Sequence, residues 1–153
     1  MSLKFIASLA VGLWLITVVV FGYFFVAGFT TTSTDGRMKV YLSAEERDFV
    51  LGEMRGMLEG VKDITIALAN GDNGNVTTVA TANGMASVGG VNPVLMAKLP
   101  VNFMSLGKNT HEKFDLIAAA VAEKKNPNEI QLLVGDLMEN CVACHATYSL
   151  VAK

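Results

Sequence analysis

The sequence predicts an all-α protein: an antiparallel four-helix bundle preceded by one N-terminal transmembrane helix. Three observations carry the prediction. Apolar residues recur at alternating spacings of three and four over long stretches, the signature of amphipathic helices. Short segments rich in Asn, Gly and Pro divide these stretches, so successive helices must fold back on one another. One early run, Phe5 to Phe29, carries no charge at all.

The chain has 153 residues, room for one domain of ordinary size and one separate segment. A formal charge of −2 and a pI near 5.6 leave no electrostatic footprint for nucleic acid. Mean hydropathy is +0.43, high for a wholly soluble chain, and the excess sits in the early uncharged run. As a helix, that run would be about 37 Å long, enough to cross a hydrocarbon core of about 30 Å with some tilt. It exceeds the apolar region of a cleavable signal peptide, and Val26-Ala27-Gly28 makes a weak cleavage site, so residues 1–29 read as an uncleaved signal anchor. Lys4 and the amino terminus are the cationic groups before the span, which keeps them in the cytoplasm and exports the rest, although Arg37 and Lys39 on the far flank weaken the asymmetry. Residues 30–42, opening with Thr30-Thr31-Thr32-Ser33-Thr34-Asp35-Gly36, read as a structureless tether, and residues 43–153 as the folded domain.

The first helix of that domain begins at a capping box, Ser43-Ala44-Glu45-Glu46. Val50, Met54, Met57, Val61, Ile64 and Leu68 form its apolar stripe, and Asn70-Gly71-Asp72 stops it. A second, weaker helix runs from about Gly74 to Val88, where small residues permit close approach of a neighbour, and Gly89-Gly90-Val91-Asn92-Pro93 breaks it. A short helical turn, Val94 to Lys98, precedes a third long helix over Asn102 to Lys125, whose stripe is Phe103, Leu106, Thr110, Phe114, Ile117 and Val121. His111 lies at the edge of that stripe; the sequence allows a partly exposed histidine beside the core or hydrogen-bonded to a nearby group, or an iron ligand. The fourth helix opens at Asn126-Pro127-Asn128-Glu129, with Asn126 as cap and Pro127 in the first turn. Ile130, Leu133, Val134, Leu137, Met138, Cys141, Cys144, His145 and Tyr148 are assigned to its inward face.

Cys141-Val142-Ala143-Cys144-His145 is the most specific pattern in the chain, the C-x-x-C-H of covalent c-type haem attachment. Two thiols one helical turn apart can add to the two vinyl groups of one porphyrin, and the adjacent imidazole can reach its iron. The fourth helix is therefore the haem-binding helix, with one haem c held by Cys141, Cys144 and His145. Other chemistries fit less well. A zinc site needs a second compact ligand pair, which two cysteines and two histidines arranged this way do not supply. A thiol oxidoreductase needs a βαβ context, and no strand alternation is visible. A membrane-tethered helical adaptor with a chance motif remains the non-cofactor alternative. No acid–base pair stands out; Glu45, Glu46, Asp48, Glu53, Glu59 and Asp63 are spread as solvation requires, so no enzymatic activity is expected.

A four-helix domain with its C-x-x-C-H on the last helix resembles the class II c-type cytochromes, the group that includes cytochrome c prime. The resemblance covers about residues 43 to 150 and rests on the haem motif and on Met54-Arg55, similar to a Met-Lys pair early in the first helix of that family. The chain departs from the family where an arginine usually stands, at Val50, and where a basic residue usually follows the haem histidine, at Ser149. The resemblance implies His145 as the proximal iron ligand and Met54 as the ligand opposite it, with Met57 as the alternative and core packing as the role of both if neither ligates. Methionine ligation implies a membrane-anchored electron carrier on the periplasmic face of a bacterial inner membrane, exchanging electrons with a respiratory or photosynthetic complex. An open sixth position implies a five-coordinate cytochrome that binds nitric oxide or carbon monoxide. Relatives often pair through their first two helices, so a homodimer is also implied.

Overall fold

The computed structural model describes residues 3–153. The amino terminus, one of the two cationic groups placed before the membrane span, lies outside the described residues. The described chain is mostly helical, as expected, with six α-helices, but a three-stranded sheet joins them and corrects the all-α prediction.

Helix α1 (Leu3–Ala27) is apolar around its whole circumference. None of the span Lys4–Ala27, with mean hydropathy 2.4, is buried within the protein, and Phe21, Val19 and Phe25 are about 70 % exposed. By length and composition α1 can cross a membrane, a property it shares with a signal sequence.

The stretch read as a structureless tether is ordered. Strands β1 (Thr30–Thr32) and β2 (Met38–Leu42) form an antiparallel hairpin, with Thr30 opposite Val40 and Thr32 opposite Met38. Strand β3 (Tyr148–Ala152) then lies parallel to β2 on its other side, pairing Met38 with Tyr148 and Leu42 with Ala152. The reason is period-two patterning: Val40 and Leu42 point into the core at 0 % and 2 % exposure, while Lys39 and Tyr41 alternate outward. Asp35 and Arg37 close the hairpin turn through a 2.7 Å ion pair.

Gly28 packs the end of α1 against the Lys98–Pro100 backbone. It has φ +64, and a Cβ there would meet the Lys98 carbonyl oxygen and the Pro100 nitrogen, each at 2.7 Å. The Phe29 amide donates to the Lys98 carbonyl at 3.1 Å, and the Phe29 carbonyl accepts from Tyr41 at 3.0 Å. Lys98 in turn donates its ammonium to both Glu46 oxygens at 2.6 and 2.8 Å. The end of α1, the sheet and the start of the next long helix thus meet at one junction.

Helix α2 (Ala44–Ala69) begins at the predicted capping box: Glu46 donates its amide to Ser43 Oγ, and its carboxylate accepts from the Ser43 amide. It ends at Gly71, with φ +69. Helix α3 (Asn73–Ala82) is shorter than predicted. The Asn83 side chain caps back onto the Val79 carbonyl at 2.9 Å, and Met85–Val88 continues only as a 3-10 turn. Helix α4 is one turn, Pro93–Met96, and α5 spans Val101–Ala122. It stops short of Lys125 as Lys124 turns left-handed at φ 58. Helix α6 (Pro127–Thr147) starts at a second capping box, between Asn126 and Glu129.

Helix α2 packs on α3 and α6, and α5 packs on the same two helices. Between them lies one apolar cluster, in which Ile64, Phe114, Ile117 and Leu137 are fully buried. Each such side chain stabilises the fold by about 1.5–3 kcal/mol. A second cluster, Val40, Leu42, Leu95, Leu99, Phe103 and Tyr148, is built where the sheet meets α4 and α5.

Two substitutions separate close approach from backbone preference. Gly71 has open space around a Cβ, so Gly71→Ala meets only the left-handed penalty of about 1–2 kcal/mol. Gly28→Ala adds a clash with fixed backbone and is expected to lower urea stability by clearly more than Gly71→Ala; equal losses would contradict the docked junction. The hydrogen bond from Lys98, with that from the Ser43 amide, holds the Glu46 carboxyl below its ordinary value. Its contribution is therefore present above the ordinary carboxylate pKa and fades as pH falls through the lowered one. The stability gap between wild type and Glu46→Gln, read from urea midpoints, should be full at neutral pH and shrink as pH falls below the ordinary carboxylate range.

Candidate functional site

Helix α6 carries the motif. Its spacing of three residues sets Cys141 and Cys144 one turn apart on one face, each half-buried and each a free thiol. They do not touch the same surroundings. Cys141 packs against the cluster of Phe114, Ile117 and Leu137, whereas Cys144 packs against that of Leu95, Phe103 and Tyr148. The pair therefore marks the seam between two apolar clusters. Facing α2 contributes to both: Met57 packs with the Cys141 cluster, and Met54, with Val50, packs with the Cys144 cluster. The structure thus gathers Cys144 and Met54 around one cluster and Cys141 and Met57 around the other.

His145 corrects the predicted face. It is exposed, belongs to neither cluster and forms no hydrogen bond or ion pair among the described residues. Met138, assigned to the same face, is 44 % exposed. Each helical residue turns the side chain by about 100°, so nine positions span too wide an arc to share one buried stripe. Ile130, Val134 and Leu137 hold the buried centre, and His145 stands one step around from Cys144.

The thiols are kept neutral. Burial pushes the Cys141 thiol up, and burial together with the neighbouring Cys141 charge pushes Cys144 up to about 11. A thiolate nucleophile or exchange couple needs the opposite, a cation or helix N-terminus that favours the anion. Half-buried at an apolar seam, both thiols therefore stay protonated at neutral pH. Among the described residues no group of three or more His, Cys, Asp or Glu is arranged to hold a metal ion by itself. The sulfur-bearing side chains at the seam are the two thiols and the thioethers of Met54 and Met57, and the exposed His145 imidazole stands beside it on the same helix.

His111 lies away from the cysteines in both contact and role. It is 7 % exposed rather than partly exposed, and its Nδ1 sits 2.7 Å from the Asn83 carbonyl oxygen. A carbonyl only accepts, so Nδ1 carries the proton and donates. The ring ties α5 to the end of α3.

Asn140 was not anticipated. Its position beside Cys141 is 9 % exposed, and its Nδ2 donates to Asn109 Oδ1 at 2.9 Å, with Thr110 Oγ1 at 3.4 Å. One turn earlier, Lys113 of α5 pairs with Asp136 of α6 at 3.0 Å. These polar ties fix the register of α6 on α5 and so the direction of the two thiols. A polar residue interrupting the apolar stripe was the available signal. The Ser149 Oγ is buried without a hydrogen-bond partner among the described residues. Asn102, Ser105 and Thr147 line a hollow of about 330 Å³ beside the end of α6.

No family model matches the chain, and no curated protein or solved structure matches it. The reading of the site rests on its residues.

Removing the tie at Asn140 leaves Asn109 and Thr110 without their α6 partner. Asn140→Ala is expected to lower unfolding free energy by about 1–3 kcal/mol in chemical denaturation. A neutral result would mean that the tie does not set the register.

Proposed function

We propose that the protein is a single-haem c-type cytochrome that carries electrons, anchored by α1 to the periplasmic face of a bacterial inner membrane and serving a membrane respiratory or photosynthetic complex. The observation that carries this reading is the C-x-x-C-H on α6, with both thiols half-buried at an apolar seam shared with Met54 and Met57 of α2. The mutual packing of α2, α3, α5 and α6 supports an antiparallel four-helix bundle of the class II cytochrome type.

In this reading Cys141 and Cys144 would hold the porphyrin through thioether bonds, and His145 and Met54 would supply ligands to its iron. The haem supplies reversible one-electron transfer. The protein supplies the setting. Helices α2 and α6 hold their donors from opposite sides of the seam, and Leu95, Leu99 and Phe103 exclude water from the Met54 side. Asn140 and Lys113 keep the α6 face directed inward. The exposure of His145 is the point of greatest rearrangement, since its ring must turn toward the seam. A helix-end residue with no competing hydrogen bond can do so by side-chain rotation.

The test is spectroscopic. Purified full-length protein should give a pyridine haemochrome with covalently attached haem, and its reduced form should be low-spin and unchanged by carbon monoxide. Met54→Ala should make it high-spin and responsive to carbon monoxide. Absence of covalent haem overturns the reading; a wild type that already responds to carbon monoxide overturns methionine ligation and electron transfer in favour of gas binding.

A further inference from the structure

A groove of about 540 Å³ runs between the last two turns of α1 and the α4–α5 corner. Val20, Phe21, Phe24 and Phe25 form one wall, and Pro93, Met96 and Met104 are on the other. It is almost wholly apolar, and the surface around it is too: Val94 is 60 % exposed, Met96 38 % and Phe29 51 %. An exposed apolar patch of this continuity is unstable in water.

The position of the groove says what covers it. Its α1 wall belongs to the same helix that is apolar all round and unburied from Lys4 to Ala27. Over those residues α1 is about 36 Å long, against a hydrocarbon core of about 30 Å, so only a few ångströms can project at either end. Val20 lies about 10 Å below Ala27 along the axis. A wall at that depth is within or at the edge of the acyl region, and α4 is held against it. The junction does not let α4 swing away, because Gly28 packs onto the Lys98–Pro100 backbone and Phe29 bonds to the Lys98 carbonyl. Tyr23 meets Phe24 edge-to-face at 5.6 Å between ring centroids, and Phe24 stacks on Phe29 at 5.4 Å, which puts a tyrosine at this end of α1, where the membrane–water boundary favours one.

We infer that α4 is a second membrane contact: Val94 and Met96 enter the outer leaflet, and the groove between α4 and α1 holds a phospholipid acyl chain. This rests on the anchor part of the proposed function, that α1 remains in the bilayer, and not on the haem. Its consequence is a fixed attitude of the domain. The α5 start, against which Tyr148 packs through Phe103 at 5.3 Å, follows α4 directly, so the Cys144 end of α6 faces the membrane.

Photo-crosslinking in phosphatidylcholine vesicles tests this with the full chain. p-Benzoylphenylalanine replaces Leu13, Val94, Met96 or Leu132 in separate variants, and intact mass is measured after irradiation. Leu13 lies mid-span in α1 and reports insertion. Leu132 is 74 % exposed and about 24 Å along α6 from β3, so it reports background. The expected result is a mass increase of one phosphatidylcholine at positions 13, 94 and 96 and none at 132. Lipid adducts at 13 but at neither 94 nor 96 overturn the inference while leaving the anchor standing. Crosslinks from 94 or 96 to a second copy of the chain overturn it in favour of a protein-covered groove. No adduct at 13 overturns the anchor and the inference with it.

Discussion

The pairing of β2 with β3 is the constraint on which the rest of the arrangement depends. It fastens the segment that follows α1 to the segment that follows Cys141–His145, across about 110 residues of chain. Because β2 is also paired with β1, and β1 leaves α1 through the docked Gly28, the end of α6 is tied to the end of α1 through one small sheet. Each ladder hydrogen bond contributes only about 0.5–1.5 kcal/mol net, so the sheet is not strong for its own sake. Its effect is geometric. It sets where the Cys144 side of α6 stands relative to α4, α5 and the membrane-spanning candidate.

Around that frame the apolar interior divides in two. The cluster centred on Phe114 is an ordinary interhelical core, closed on all sides by α2, α3, α5 and α6. The cluster centred on Phe103 is more open, and methionines are unusually frequent at its edge: Met38, Met54 and Met104 all pack there. Methionine is unbranched and repacks at low cost, so this edge rearranges more readily than the closed cluster around Phe114. The two cysteines sit where the clusters meet, and the polar ties at Asn140 and Lys113 keep them there.

Much of this was legible in the residues. Both capping boxes, the stop at Gly71, the start of α6 at Pro127 and the apolar stripe of α2 follow from local rules that tertiary packing does not overturn. The sheet was hidden for different reasons. β1 is three threonines, which read equally as polar linker, and β2 is a five-residue strand whose alternation of Met38, Val40 and Leu42 with Lys39 and Tyr41 is visible only once a strand is sought. β3 has no local signal strong enough to end α6, because the pairing that selects it lies in the distant β2. The motif itself was plain, as was the nearness of a methionine stripe. The outward direction of His145 was not, since a one-residue step around a helix end changes burial without changing the sequence pattern.

The long-range pairing also sets a timetable. During synthesis β2 is made early and can form its hairpin at once, but its other edge has no partner until some 110 further residues have been added. Throughout that interval the free edge of β2 stays unpaired, and Cys141 and Cys144, only a few residues before β3, are made almost together with it. Closure of β3 onto β2 then draws Tyr148 into the core and brings Cys144 against the second cluster. The last strand therefore acts as the latch: the fold closes only when the final residues of the sheet reach an edge made about 110 residues earlier.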